Sequence, residues 1–221
     1  GIVDSAPDIH DIDATPTGYL STVLDNQGNE TATLVASGSN RVYVTIDEIP
    51  LDLQHAFVAI EDARFYEHNG IDITGIVRAG ITGIISGRFS QGASTITQQL
   101  LKNNVFTDWT SESSFADKME RKIQEQYLAI QLEKVEDKDW ILENYLNTIN
   151  LGQNTLGVQA ASQRYFNKDV SELTLSECAV IAGITQNPSR YNPVSNPDAN
   201  AERRTKVLNI MLDQGYIDQA A

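Results

Sequence analysis

At 221 residues, 41% apolar and 21% charged, the chain has the composition of a globular protein long enough for one large domain or two small ones. A formal charge of -14 excludes nucleic-acid binding through a basic face, so any anionic ligand must be met by a local cationic patch. Residues 1–50 carry eight acids against the single base Arg41, whereas residues 61–125 hold seven of the sixteen bases, a contrast that solvated surface charge also explains.

The first sixteen residues, GIVDSAPDIHDIDATP, are acidic and poorly patterned. YLSTVLDNQGNETATLVAS, 19–37, reads as two short strands about a turn at Asp25–Asn29, and RVYVTI, 41–46, as a third strand. From Pro50 the periodicity becomes helical, with Leu53, Phe57 and Ile60 at spacings of four and three. GIDITGIVRAGITGIISGRF, 70–89, predicts a short helix; Asp72, Arg78 and Arg88 interrupt it too often for a membrane span, though it can touch a bilayer surface. No run of about eighteen apolar residues and no signal-peptide pattern occurs. ADKMERKIQEQYLAIQLEK, 116–134, and DKDWILENYLNTINLG, 137–152, predict two further helices, the second closed by Gly152. TLSECAVIAGIT, 174–185, opens with a capping box, Thr174 and Glu177, and the loop NPSRYNPVSNP precedes a last helix over 197–214. The lone cysteine, Cys178, rules out an intramolecular disulfide and, within ECAVIAGI, predicts a buried small hydrophobe.

Several segments carry residues suited to chemistry. In EDARFYEHNG, 61–70, Glu61 falls one helical turn after Phe57 and one before Phe65, so aromatic neighbours would raise its pKa toward the range of a general base. A solvated glutamate at a helix end is the plainer alternative. In RKIQE, 121–125, Glu125 shares a face with Arg121, Leu128, Ala129 and Leu132, where a charged glutamate is costly unless the arginine or a ligand cation compensates it. An ordinary intrahelical ion pair, worth about 0.3–0.5 kcal/mol, is the alternative there. QGASTITQQLLKNN, 91–104, gathers Gly92, Ser94, Thr95, Thr97, Gln98, Gln99 and Lys102, either as donors for sugar hydroxyls and phosphate oxygens or as a solvated capping segment. Glu143, Asn147 and Asn150 form a polar stripe on a helix whose Ile141, Leu142, Tyr145, Leu146 and Ile149 face the core; a plain solvated surface is the alternative to the expectation that they support a site from behind.

These segments together resemble the peptidoglycan glycosyltransferase domain, family 51, of class A penicillin-binding proteins and monofunctional peptidoglycan polymerases. EDARFYEHNG, GASTITQQ, RKIQEQYLAIQLE, KDWILENYLNTINLG and GVQAASQRYFNK are similar to the family's five motifs, in order, and IAGITQNPSRYNPVSNPDANAERRTKVLNIM to its closing segment. The wording of VYVTIDEIP and DWTSESSFADKMERK looks Gram-positive. Asn167, where the family has glycine, and Thr185, where it has alanine or proline, are the departures. A transpeptidase's serine three residues before a lysine and its KTG triplet do not occur, so no penicillin binding is expected of this sequence.

The resemblance implies a mainly α fold: a lysozyme-like glycosyltransferase lobe over 50–215, a smaller membrane-facing jaw, a linker with short β-strands over 1–49, and the start of a further linker over 216–221. Jaw candidates are Ile81, Ile84, Ile85 and Phe89, with Val105, Phe106 and Trp109; internal packing of these residues is the alternative. It implies polymerisation of lipid II into β-1,4 glycan with release of undecaprenyl pyrophosphate, Glu61 acting as general base and Glu125 assisting the leaving group in an arrangement similar to lysozyme's carboxylate pair. Asp62, Phe65, His68, Arg78, Gly92, Ser94, Thr95, Gln98, Gln99, Lys102, Arg121 and Lys122 would bind substrate, with Arg78, Lys102, Arg121 and Lys122 cradling the pyrophosphate. No organic cofactor and no dedicated metal ligands are implied, although the pyrophosphate admits a divalent Mg or Mn cation. The implied partners are lipid II, the lipid-linked glycan, the membrane surface and cell-division or elongation proteins, not nucleic acid. The implied location is the outer face of the cytoplasmic membrane, through an N-terminal anchor outside this sequence. A muralytic hydrolase using water and a non-catalytic glycan-binding module are the competing readings.

Overall fold

The computed structural model describes residues 3–4, 6–9, 20–24, 30–35, 42–86, 93–104 and 114–221. Two strands, β1 (Leu20–Leu24) and β2 (Glu30–Val35), pair antiparallel with an irregularity between Val23 and Leu24, as the alternating pattern predicts. Their connecting turn lies outside the described residues. Among the described residues the regular elements that follow are helices: α1 (Leu51–Glu61), α2 (Ile73–Ser86), α3 (Ile96–Asn104), α4 (Phe115–Val135), α5 (Lys138–Leu146), α6 (Val158–Phe166), α7 (Leu175–Ala182) and α8 (Pro197–Asp213). The fold is mainly α.

The chain divides into two compact units, Gly1–Thr15 with Asp62–Leu142, and Pro16–Glu61 with Glu143–Ala221. In the second, α1, α7 and α8 pack on one another and α6 on α7. Phe57 meets Tyr145 edge-on at 6.1 Å, both fully buried beside Leu53, Val158, Ile181 and Val207. Each such side chain contributes about 1.5–3 kcal/mol by leaving water. The capping box of Thr174 and Glu177 starts α7 as expected, and Pro197 occupies the first turn of α8. Cys178 is fully buried in α7, and burial pushes its thiol pKa up to about 12. In the first unit α3 packs on α4. Ser114 caps α4 by accepting the Asp117 N–H at 3.0 Å.

Two expectations fail for one shared reason. Val42–Thr45 of RVYVTI form no strand, and the helix predicted to run to Gly152 stops at Leu146. Asn147 Oδ1 accepts the Val44 N–H and its Nδ2 donates to the Val44 carbonyl, both at 2.8 Å, so one side-chain amide stands in for a strand edge. The same Nδ2 donates to the Glu143 carbonyl at 2.7 Å, alongside the Asn147 N–H, and Thr148 Oγ1 occupies the Asn144 carbonyl at 2.6 Å while the Thr148 N–H turns to the Tyr145 carbonyl, so the regular helical ladder ends there. Glu143 adds bonds from the Ile46 N–H, at 2.7 Å, and from the Tyr43 hydroxyl. Beyond α5 a tight loop closes by the Asn150–Leu156 bridge, with Asn150 Oδ1 accepting the Gly152 N–H at 2.9 Å. The polar stripe therefore anchors residues 43–46 and the loop after α5.

Asn147→Ala strands the buried Val44 N–H and C=O, and is expected to lower stability by about 2–3 kcal/mol in urea unfolding. Hydrogen exchange at Val44 should accelerate in the same variant.

Candidate active site

Asp62 follows directly on the last residue of α1. Its carboxylate is buried, and Oδ2 accepts the Ile96 N–H at 3.0 Å and lies 2.7 Å from His68 Nε2. Ile96 opens α3, so the first motif fixes the start of the helix that carries the second. Thr95 completes that start: Thr95 Oγ1 accepts the Gln98 N–H at 3.1 Å, and Gln98 Oε1 accepts the Thr95 N–H at 3.0 Å. Thr95 Oγ1 also donates to the Gly70 carbonyl at 2.7 Å. Gly70, with φ +111°, lies so close to α4 that a Cβ would stand 2.5 Å from the Ala129 carbonyl oxygen. Arg64 grips Asp72 through Nε at 2.9 Å and Nη2 at 2.5 Å, while Asp72 accepts the Gly75 N–H at 3.1 Å at the start of α2. The Arg64 hydrogen bond is the main reason that the Asp72 carboxyl sits below its usual pKa.

Glu125, on α4, is 1% exposed. Its Oε1 accepts from Lys122 Nζ at 3.0 Å and from Gln98 Nε2 at 3.4 Å, while Oε2 is buried and meets no hydrogen-bond donor among the described residues. Lys122 Nζ also reaches Ser94 Oγ at 2.6 Å, tying the second motif to the third. Burial raises the Glu125 pKa, against the charges of Lys122 and Lys102 and the hydrogen bonds from Lys122 and Gln98. The compensating cation is thus Lys122, three residues away, rather than the Arg121 that the wheel suggested; Arg121 Nη1 lies 3.4 Å from Gln124 Oε1.

The first unit brings Asp62, Phe65, His68, Ser94, Thr95, Gln98, Lys122 and Glu125 into one connected group, with Lys102 close enough for its charge to act on Glu125. Gln99 is half-buried and Arg78 exposed. Glu61 is the half-buried last residue of α1, in the second unit, and Phe65 stands in the turn beyond rather than one helical turn on. Gly92, Phe89, Val105, Phe106 and Trp109 lie outside the described residues, as do the side chains of Ile84 and Ile85. Sequence reasoning passed over Glu133 and Lys138, which surround His68. Glu133 closes the third motif and Lys138 opens the fourth, but five positions apart across a helix break they match neither helical pairing interval, so spacing did not pair them.

The transglycosylase family profile matches residues 27–212. The chain belongs to the transglycosylase family. It is thereby an enzyme of glycosyl transfer. It is 47% identical over 197 residues to penicillin-binding protein 1F of Bacillus subtilis, covering 89% of this chain and 26% of that protein. With penicillin-binding protein 1A of Escherichia coli it shares 50% identity over 179 residues, 81% of this chain and 20% of the relative. With penicillin-binding protein 1A of Clostridium novyi it shares 43% over 227 residues, 99% of this chain and 26% of the relative. The chain thus spans about a quarter of the length of these relatives, which include Gram-positive bacteria. The crystal structure of penicillin-binding protein 1A from Haemophilus influenzae shows a loose likeness, TM-score 0.45 at 25% identity over 93% of this chain and 20% of that one.

No group of three or more His, Cys, Asp or Glu side chains able to hold a metal occurs among the described residues. Glu125 offers one carboxylate already met by a lysine, a donor set unsuited to a protein-held Mg or Mn ion, which takes several oxygens.

The pH dependence of stability follows from the raised Glu125 pKa. Native protein keeps this proton where the unfolded chain, with a carboxyl near 4.5, has lost it, so the contribution of Glu125 to stability falls as pH rises from about 4.5 to the raised native value. Glu125→Gln, which cannot ionise, should unfold at higher urea concentration than wild type at pH 7, with the advantage shrinking toward pH 4.5.

Proposed function

We propose that this chain is a peptidoglycan glycosyltransferase that polymerises lipid II into β-1,4 glycan strands and releases undecaprenyl pyrophosphate. The reading rests on the family membership and on one observation above all: a buried Glu125 whose carboxylate holds Lys122 beside Ser94 and Gln98. A glycosyl transfer with a diphosphate leaving group develops negative charge on the departing oxygens. Ammonium and guanidinium groups fixed in advance stabilise that charge without reorganising. Glu125 keeps Lys122 in place beside Ser94, while Lys102, Arg121 and Arg78 add further cations.

On the acceptor side Glu61 takes the proton of the 4-hydroxyl as that oxygen attacks the anomeric carbon of the lipid-linked chain. Attack opposite the diphosphate converts the α-linked donor into a β linkage. Ser94, Gln98 and Gln99 orient the sugars, and Asp62, Phe65 and His68 hold the start of α3. Because the donor carries a lipid, part of the protein must meet the bilayer surface. Ile73, Val77 and Ile81, exposed at four-residue intervals along α2 beside Arg78, form a stripe suited to that contact. No helix among the described residues is long and apolar enough to cross a membrane. Action at the outer face of the cytoplasmic membrane, alongside cell-division or elongation proteins, belongs to the same proposal.

Incubation with labelled lipid II tests it. Wild type should give glycan strands, and Glu61→Gln and Glu125→Gln at least about a hundredfold less, the scale of losing a catalytic base or a key electrostatic group. Polymerisation surviving in Glu61→Gln overturns the role of that residue, and short, water-terminated sugars identify a hydrolase.

A further inference from the structure

Behind Asp62 and His68 lie two charged side chains, Glu133 and Lys138, to which the glycosyl-transfer mechanism assigns nothing. His68 and Glu133 side chains are each 6% exposed, and Lys138, the first residue of α5, is 25% exposed. Asp137 sets the start of α5 by accepting the Trp140 N–H at 2.8 Å, which brings Lys138 back over the first motif. Lys138 Nζ donates to the His68 carbonyl at 2.7 Å, pairs with Glu133 Oε1, and stands 4.5 Å from the centre of the Phe65 ring. Glu133 Oε2 lies 3.4 Å from His68 Nδ1. One ammonium therefore touches the main chain, the acid and the aromatic ring that together enclose His68.

The imidazole is pulled in two directions. Burial lowers its pKa, but hydrogen bonding to Asp62 and Glu133 outweighs that and lifts it to about 9. The Gly70 N–H, 3.0 Å from Nδ1, needs a lone pair there and opposes the second proton, as does the charge of Lys138. The Nε2–H bond to Asp62 is common to both protonation states, and it sets the imidazole as the support of the carboxylate oxygen that holds Ile96 N.

We propose that Lys138, clamped by Glu133, is a positioning residue for glycosyl transfer. It locks His68, His68 orients Asp62, and Asp62 sets the first turn of α3, from which Gln98 reaches Glu125. The effect on rate rests on the glycosyltransferase reading, but the mechanical part does not. Without the ammonium, the His68 carbonyl loses its donor and Glu133 faces the imidazole uncompensated. The start of α3 then drifts while the fold persists.

The experiment compares Lys138→Met, Lys138→Arg, Glu133→Gln and Lys138→Met/Glu133→Gln with wild type. It measures kcat and KM on lipid II, the thermal midpoint, and the imidazole N–H resonance of His68 by NMR. Lys138→Met should lower kcat about ten- to a hundredfold with KM within about twofold, the scale of a small misplacement of reacting groups. Lys138→Arg should restore most of the rate. The double variant should lose no more than Lys138→Met alone, because the two side chains act as a unit. The His68 Nε2–H resonance should be sharp and slow to exchange in wild type, given its buried bond to Asp62, and should broaden or vanish in Lys138→Met. Unchanged kcat in Lys138→Met, losses that add in the double variant, or an unmoved His68 resonance would each overturn the proposal. Should Lys138→Met fail to fold, Glu133→Gln decides by the same readouts. Wild type that makes no glycan sinks the glycosyltransferase reading instead, and the resonance alone then decides the positioning role.

Discussion

A single oxygen, Asp62 Oδ2, faces both an imidazole nitrogen and the first amide of α3. That shared acceptor couples a loop to a helix start. A free helix N-terminus offers several unmatched N–H groups, and a carboxylate is their preferred partner. With the carboxylate 1% exposed at its side chain, the bond is not shared with solvent. Thr95 and Gln98 then cap the same turn from within, and Thr95 reaches back to Gly70, whose lack of a side chain lets the loop rest on the α4 backbone. The geometry around Glu125 inherits its definition from these contacts, since Gln98 and Ser94 both stand at this helix start.

Glu125 itself works against the stability of the fold. A carboxylate placed 1% exposed on α4 with one lysine and one distant amide is only partly compensated, and burial dominates its raised pKa. A core leucine at this position would pack without that cost. Retaining the acid makes sense where a charged group must hold an ammonium ready for an anionic leaving group, which is the usual trade between stability and activity.

The parts of this arrangement that follow local rules were legible in the sequence. Capping at Thr174, the helix over residues 115–135, the hairpin strands and the buried Cys178 all come from short-range patterns. Asn167, flagged as a departure from glycine, takes the left-handed conformation at the end of α6 with φ 53°, which asparagine tolerates better than other residues with a side chain. What could not be read was side chain to backbone pairing across long separations. Asn147 reaching Val44, 103 positions away, cancelled a strand and shortened a helix at once. Lys122 displaced Arg121 as the partner of Glu125 because a helical wheel ranks neighbours by angle and does not know that Ser94 waits on one side. The pairing of Lys138 with Glu133 stayed hidden because their meeting place is created by a turn between two helices.

Cys178 carries one more consequence. It is the only thiol in the chain, fully enclosed, and with a pKa near 12 it supplies almost no thiolate at neutral pH. A cysteine introduced on the exposed face of α2 or α4 would therefore react alone with a maleimide dye or spin label. Fluorescence or distance measurements on this protein need no prior removal of the native sulfur.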